Sequence, residues 1–233
     1  MISFLILDLI ENRGIALKII GFIGLPGSGK GEASRIAKEA GLMVLVMGDI
    51  IRQEASRLGL EPTDLNLGRI GNALRAAEGP EVVAKRILDR ARATGEEVVV
   101  VDGLRSRQEA EYFAAHAEEF HLVEICAPAE ARLKWLTARG RPDDPGRSPA
   151  GGGQREGGDE KIIVSCEEPD RKAAEALEER ECRELGWGMC EAMKTADMKL
   201  RNDGSLVEFR KNVRSLFAML MVEMPSGMMD RDE

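Results

Sequence analysis

A glycine-rich loop between an apolar run and a helical pattern limits the fold of this chain more than any other feature. The loop reads "GLPGSGKGEA", and the β-branched run Lys18 to Ile23 leads directly into it. The spacing G-x-x-x-x-G-K lets backbone N–H groups turn toward phosphate oxygens, while Lys30 and the following helix N-terminus add positive charge. The sequence therefore predicts a phosphate-binding loop formed by Gly24, Leu25, Pro26, Gly27, Ser28, Gly29, Lys30, Gly31 and Glu32.

The pattern of the remaining chain predicts an α/β fold. Buried-strand runs occur at Lys18 to Ile23, Leu42 to Met47, Glu97 to Val101, His121 to Cys126 and Asp197 to Arg201. Helical patterns fill most of the gaps between them, and such alternation implies a parallel sheet covered on both faces. We expect a P-loop NTPase three-layer sandwich, with a five-stranded parallel sheet, helices on both faces and a helical or loop lid insertion.

The composition of the chain argues against several classes of binding partner. The formal charge of -8 over 233 residues argues against non-specific nucleic-acid binding, which needs a cationic surface. The four cysteines have no paired C-x-x-C spacing, which speaks against a zinc site. The opening "MISFLILDLI" fits neither a signal peptide nor a membrane span. We expect a cytoplasmic monomer or small homo-oligomer without membrane or nucleic-acid partners.

An aspartate follows the third apolar run. In "VVVVDGLRS", Asp102 is placed at the carboxyl end of a buried strand, where ligands of parallel sheets bind. A carboxylate there can orient Mg²⁺, directly or through water, on the phosphates of a nucleotide. Asp102 is thus the predicted metal residue, with Mg²⁺ as cofactor, and the resemblance described next implies ATP as co-substrate.

These segments resemble adenylate kinases and other nucleoside monophosphate kinases. Their loops commonly place Gly after the lysine and Thr one step later, where this chain has Glu32, and we expect that carboxylate to point outward. "MGDIIRQEA" is similar to the segment of those kinases in which a Gly-Asp pair precedes an arginine that holds the acceptor phosphate. The resemblance implies that Asp49 and Arg52 bind the acceptor, and "GLRS" adds Arg105.

"WLTARGRPDDP" and "ERECRELG" look like the two arms of the lid of these kinases. The resemblance implies a lid at 139–185 that contains a flexible insertion, 142–172, rich in Gly, Pro, Arg and Asp. Arginines on a closing lid would stabilise the charge of the transferred phosphoryl group. The implied catalytic set is Lys30, Asp102, Arg139, Arg141, Arg180 and Arg183.

"NDGSLVEF" resembles the C-terminal signature of dephospho-CoA kinases, which implies that Asn202 and Gly204 lie beside the base of the donor nucleotide. The alternative is a plain strand-to-helix turn capped by Ser205.

The overall likeness is to a group of archaeal adenylate-kinase-related proteins. It predicts a kinase domain at 17–224 with an acceptor-binding region at 48–95, an N-terminal extension or wrongly assigned start at 1–16, and a disordered tail at 225–233.

Several functions remain open on this basis. A nucleoside monophosphate kinase needs arginine clamps, whereas a dephospho-CoA kinase transfers to a hydroxyl, for which Asp49 could accept the proton. Other small-molecule kinases would use the same loop. A nucleotide-binding switch or ATPase would use the loop, Asp102 and the lid but would not need Arg52. The sequence favours the monophosphate kinase.

Overall fold

The computed structural model describes residues 16–139 and 168–221. Five parallel strands form one sheet in the order β2-β3-β1-β4-β5. The strands are β1 (Lys18–Ile23), β2 (Met43–Val46), β3 (Val98–Leu104), β4 (Glu119–Cys126) and β5 (Met198–Arg201). The helices are α1 (Lys30–Glu39), α2 (Met47–Arg57), α3 (Asp64–Glu78), α4 (Val82–Thr94), α5 (Arg107–His116), α6 (Ala129–Arg139), α7 (Glu168–Gly186), α8 (Met189–Lys194) and α9 (Leu206–Met221).

Alternate residues of the central strand face two hydrophobic cores. Ile19 and Ile23 pack into a core that includes residues of α2, α3, α4, α5 and α8. Ile20 and Phe22 pack into a second core with α1 and α9. Because both faces of the sheet are covered, the strand is an uninterrupted apolar run rather than an alternating one. The predicted fold class, a five-stranded parallel sheet with helices on both faces, is confirmed.

Three boundaries differ from the sequence predictions. β3 continues to Leu104, so Asp102 lies inside the strand and pairs with Phe22 and Val46 in the neighbouring strands. α2 begins at Met47, which places Gly48 and Asp49 in its first turn. α7 begins at Glu168, and the last residues assigned to the insertion at 142–172 are therefore helical. The rest of that insertion, residues 1–15 and the tail at 225–233 lie outside the described residues.

The parallel sheet brings distant segments together at one edge. The carboxyl ends of parallel strands point the same way, so the segments that follow all five strands meet there. They are the phosphate loop, the first turn of α2, the link from Asp102 to Arg105, the start of α6 and the turn at Asn202. None of the described helices is long and apolar enough to span a membrane.

Candidate active site

The phosphate loop curls around the side chain of its own lysine. The Lys30 ammonium donates to the carbonyl oxygens of Gly24, at 2.5 Å, and Leu25, at 3.0 Å. Burial lowers the pKa of Lys30 to about 8, although the Asp102 carboxylate opposes that shift. Gly29 precedes α1 with a φ of 111°, a conformation that L side chains rarely adopt. The loop thus opens onto the N-terminus of α1, where phosphates bind well.

Two neighbouring elements hold the loop from either side. A Cβ on Gly27 would lie 2.9 Å from the Arg132 carbonyl oxygen in α6, and one on Gly29 would lie 2.5 Å from Nδ2 of Asn202. The Asn202 amide is buried and donates to the Ser28 carbonyl at 3.0 Å. Asn202 therefore supports the loop backbone with its side chain. Ser205 accepts a hydrogen bond from the Glu208 N–H at 3.2 Å and so caps α9.

Glu32 does not extend into open solvent as we expected from the sequence. Its carboxylate accepts hydrogen bonds from Arg35, at 2.6 and 3.0 Å, and from Arg210 of α9, at 2.6 Å. Hydrogen bonding from Arg35, and then from Arg210, lowers the pKa of Glu32 to about 2 although partial burial opposes it. Two guanidinium groups thus offset the charge that would repel a phosphate. Sequence analysis could not identify Arg210 as a partner because it is 178 residues away, whereas Arg35, three residues after Glu32, is a local partner on α1 that was overlooked.

Asp102 has a partner that sequence analysis did not identify. The buried Ser34 hydroxyl, one helical turn after Lys30, donates to Oδ2 of Asp102 at 2.9 Å. Among the described residues, no cluster of three His, Cys, Asp or Glu side chains could hold a metal alone. Mg²⁺ in nucleotide sites is usually held by one or two carboxylates together with substrate phosphates and water, so Asp102 beside the phosphate loop fits that ion. Bound Mg²⁺ would neutralise phosphate charge there.

A cavity of about 710 Å³ lies over the loop, and we call it the chamber. Its volume lies in the range of small-molecule sites. Residues from widely separated segments line it: Gly24, Pro26, Gly27, Ser28, Gly29, Lys30, Gly31, Glu32, Asp102, Arg52, Arg105, Arg180, Glu184, Trp135, Asn202, Gly204 and Leu206 are among them. Phosphate-loop residues and three predicted arginines, Arg52, Arg105 and Arg180, therefore share one cavity. Leu25 does not line the chamber and packs against the first core.

Carboxylates hold these arginines in place. Arg52 donates through Nε and Nη2 to Oδ1 of Asp49, at 3.0 and 2.6 Å, and Asp49 itself lines neither described cavity. Oε1 of Glu184 lies 2.7 Å from Arg105 and 3.1 Å from Arg180. Burial opposes ionisation of Glu184, but Arg105, Arg180 and Lys30 outweigh it and hold the pKa of this carboxyl below its ordinary value. Glu184 lies in the segment "ERECRELG", but sequence analysis assigned a role only to the arginines of that segment.

A smaller cavity of about 40 Å³, which we call the side pocket, adjoins the chamber. Arg52, Arg105 and Arg180 line both cavities. Arg183, predicted to act on the phosphoryl group, lines only the side pocket, together with Arg75 and Trp187, which sequence analysis missed. The guanidinium carbons of Arg75 and Arg105 lie 4.5 and 5.6 Å from the Trp187 ring centroid.

The described structure gives no side-chain position for two of the predicted lid arginines. Arg139 is the last residue of α6, and its side chain is not described. Arg141 lies outside the described residues. Their assignment to the catalytic set stays a prediction.

Comparison with known proteins gives the family. The sequence profile of an AAA domain family, AAA_17, matches residues 23–148. A UPF0200 protein from Methanothrix thermoacetophila is 46% identical over 198 residues, which is 85% of this chain and 95% of that protein. The chain belongs to the UPF0200 family. The predicted likeness to archaeal adenylate-kinase-related P-loop proteins is thereby confirmed, and this chain has the α/β fold of P-loop proteins.

Solved structures are less similar in sequence to this UPF0200 protein than its archaeal relative is. The crystal structure of TT1252 from Thermus thermophilus is 18% identical, covers 88% of this chain and 98% of its own, and has a TM-score of 0.49. Shikimate kinase from Acinetobacter baumannii, in complex with shikimate, is 16% identical over 91% of this chain and 97% of its own, with a TM-score of 0.45. Likeness at this level says nothing about the substrate of UPF0200.

Proposed function

We propose that this UPF0200 protein transfers the γ-phosphoryl group of ATP to the phosphate of a nucleoside monophosphate. One observation carries the proposal. The chamber combines the phosphate loop, Lys30 and Asp102 with Arg52, Arg105 and Arg180. The first group suits the donor phosphates and Mg²⁺, and the arginines suit a second anion beside them.

The arrangement favours a phosphate over a hydroxyl as the acceptor. Transfer to a hydroxyl is assisted by a base within hydrogen-bond reach, and the sequence offered Asp49 for that role. The Asp49 carboxylate instead accepts two hydrogen bonds from Arg52 and does not line the chamber. A phosphate oxygen is already anionic and needs positioning and charge neutralisation, which arginines supply.

The alternatives that the sequence left open become outcomes of one assay. The purified protein would be incubated with Mg²⁺ and ATP, together with AMP, CMP, UMP, dephospho-CoA or no acceptor, while ADP and phosphorylated product are measured. We expect one nucleoside monophosphate to give ADP and a nucleoside diphosphate in equal amounts. Phosphorylated dephospho-CoA would indicate a dephospho-CoA kinase. ADP release without any acceptor would indicate a switch or ATPase.

The role of Arg52 provides a second test with a matched control on the same helix. Arg52→Ala should raise the KM for the acceptor by about tenfold or more, because a charge-assisted bidentate contact is lost. Arg57 also pairs with a carboxylate three residues earlier in α2, but it is exposed and lines neither described cavity. Arg57→Ala should leave the KM unchanged. An equal effect of both substitutions would remove Arg52 from the acceptor site.

A further inference from the structure

Glu184 is a buried carboxylate in the chamber to which the proposed reaction gives no role. It lies in the last turn of α7, is only 2% exposed, and lines the chamber together with the phosphate loop. A carboxylate at this place is costly, because it is withdrawn from water and repels the phosphates of a nucleotide. Contacts with cationic side chains must offset both costs, and those contacts indicate what Glu184 does.

Glu109 fixes the backbone of Arg105 but leaves the direction of its side chain open. The buried Glu109 carboxylate accepts a hydrogen bond from the Arg105 backbone N–H at 2.7 Å, and another from Arg75 at 2.8 Å. An arginine side chain has several rotatable bonds, and ordering them costs conformational entropy. A second contact is therefore needed to hold the guanidinium group of Arg105 at the chamber, which it lines.

Glu184 makes that second contact. Its Oε1 atom lies 2.7 Å from Nη1 of Arg105, and the ring centroid of Trp187, three residues later, lies 5.6 Å from the guanidinium carbon. A guanidinium group has five N–H donors, so Arg105 can hold this carboxylate and a phosphate at the same time. The last turn of α7 thus sets the direction of Arg105 and leaves it able to bind a ligand.

The charges around Arg105 make Glu184 its main stabilising partner. Burial lowers the pKa of Arg105, and among the charged groups that oppose this shift Glu184 has the largest effect. Arg180 and Arg75 act in the opposite sense, because like charges repel. Without the Glu184 carboxylate, Arg105 would be left buried near two other guanidinium groups, which favours a side chain that turns away toward water.

We propose that Glu184 is a positioning residue for the acceptor phosphate and acts through Arg105, whose guanidinium group it holds at the chamber. The inference deepens the proposed function and rests on it for the identity of the ligand. It gives α7 a role beyond that of its arginines, because its last turn orients a side chain on the turn after β3. The opposite role would be competition, in which the acceptor phosphate has to displace the carboxylate from Arg105.

Steady-state kinetics separate positioning from competition. Glu184→Gln keeps the size of the side chain and removes its charge. With the nucleoside monophosphate that serves as acceptor, we expect this variant to raise the acceptor KM by about tenfold and to leave the KM for ATP within about twofold. An unchanged acceptor KM would overturn the proposal, and a lower one would show competition instead. An equal rise in both KM values would show a general structural role and would also overturn it.

Glu175→Gln is the matched control on the same helix. Glu175 pairs with Arg171 at the spacing at which Glu184 pairs with Arg180, four residues after the arginine, but it is exposed and lines neither described cavity. This control variant should leave both KM values unchanged. An equal effect of the two substitutions would assign the change to the overall charge of α7 and overturn the proposal.

A double-mutant cycle identifies the residue through which Glu184 acts. Its Oε1 atom also accepts a hydrogen bond from Arg180 at 3.1 Å, so Arg105 has to be tested against that arginine. Arg105→Gln should raise the acceptor KM at least as much as Glu184→Gln does. In the Arg105→Gln background, Glu184→Gln should add less than about twofold. A full additional effect in that background would show that Glu184 acts through another group and would overturn the proposal.

The order of the Arg105 side chain gives a readout that needs no activity. In ¹⁵N-labelled protein, the Nε–H signal of Arg105 is assigned by its loss in Arg105→Gln, and its heteronuclear NOE reports fast motion. We expect a rigid side chain in the unsubstituted protein and in Glu175→Gln, and a mobile one in Glu184→Gln. A rigid Arg105 in Glu184→Gln would overturn the proposal whatever the reaction. Mobility there, in a protein that phosphorylates no nucleoside monophosphate, would contradict the proposed function alone.

Glu184→Asp keeps the test decisive if Glu184→Gln does not fold, since the loss of a buried charge partner is strongly destabilising. The aspartate retains the charge but is one methylene shorter, so it cannot keep the contacts of 2.7 Å to Arg105 and 3.1 Å to Arg180 from the same backbone. We expect a raised acceptor KM and a more mobile Arg105 side chain. Unchanged values of both would overturn the proposal.

Discussion

At the scale of single residues, this loop departs from the common phosphate-loop motif. Side chains outside the loop compensate for that departure. The hydroxyl expected beside Lys30 is missing, since Gly31 and Glu32 follow it. Ser34 supplies a hydroxyl to Asp102 from the next turn of α1, and Arg35 and Arg210 offset the charge of Glu32. The contacts with Asp102 and Arg210 could not be inferred from the loop sequence, because they depend on which strand and helix lie beside α1, whereas the Arg35–Glu32 pair is local to α1.

Ser34 should therefore matter for nucleotide binding and Glu32 should not. We expect Ser34→Ala to weaken the binding of Mg²⁺–ATP several-fold, since Asp102 loses the donor that orients it. Glu32→Thr should leave the Mg²⁺ dependence nearly unchanged. Calorimetric titrations with ATP at several Mg²⁺ concentrations would measure both effects, with the exposed Ser56→Ala as the control. A large gain in Mg²⁺ affinity for Glu32→Thr would mean that the native loop is compromised.

Lys30 gives the site a predictable pH dependence. Burial lowers the pKa of Lys30 from 10.5 to about 8 in the ligand-free protein. We expect ATP to bind the form in which Lys30 is protonated. ATP affinity should consequently be constant below pH 8 and fall by up to about tenfold for each further pH unit. The dissociation constant of ATP between pH 6.5 and 9.5 would check this. Lys30→Arg keeps its charge over that range, and a falling profile for that variant would assign the effect to another group.

At the scale of elements, α6 links the phosphate loop to α7. The buried Arg132 donates to the Pro26 carbonyl at 3.3 Å, to the Ala127 carbonyl at 3.2 Å and to Glu181 of α7. Sequence analysis assigned α7 and its arginines to a lid on the basis of the resemblance alone. It could not identify Arg132 as the connection, because an arginine in a helical pattern is usually exposed.

The contribution of this link can be measured with a double-mutant cycle. Arg132→Met should lower the free energy of unfolding by about 3 kcal/mol, because Glu181 and the Pro26 carbonyl lose their donor. Adding Glu181→Leu should recover part of that loss, since no carboxylate is then left unpaired. Urea denaturation of the two single variants and the double variant gives the interaction energy. Strictly additive losses would show that Arg132 acts without Glu181.

At the scale of the whole molecule, the strand order decides which residues meet. β1 lies between β3 and β4, so Asp102 and the start of α6 flank the phosphate loop. The chain thus joins Arg183 to Asp64 across 119 positions and Asn202 to Ser28 across 174. No periodicity in a sequence carries information on such pairings, since it reports only which face of an element is apolar.

The sequence by itself determined the five strands apart from their exact ends, the α/β class and the phosphate loop. These follow from local causes: glycine spacing, apolar runs long enough for strands, and helical periodicity. Only the tertiary structure decided that Asn202 supports the loop, that Glu109 and Glu184 hold arginines, and that Arg75 and Trp187 line a side pocket. The physical reason is that hydrogen bonds and ion pairs act over a few ångströms, and the order of strands in the sheet sets which distant residues come that close.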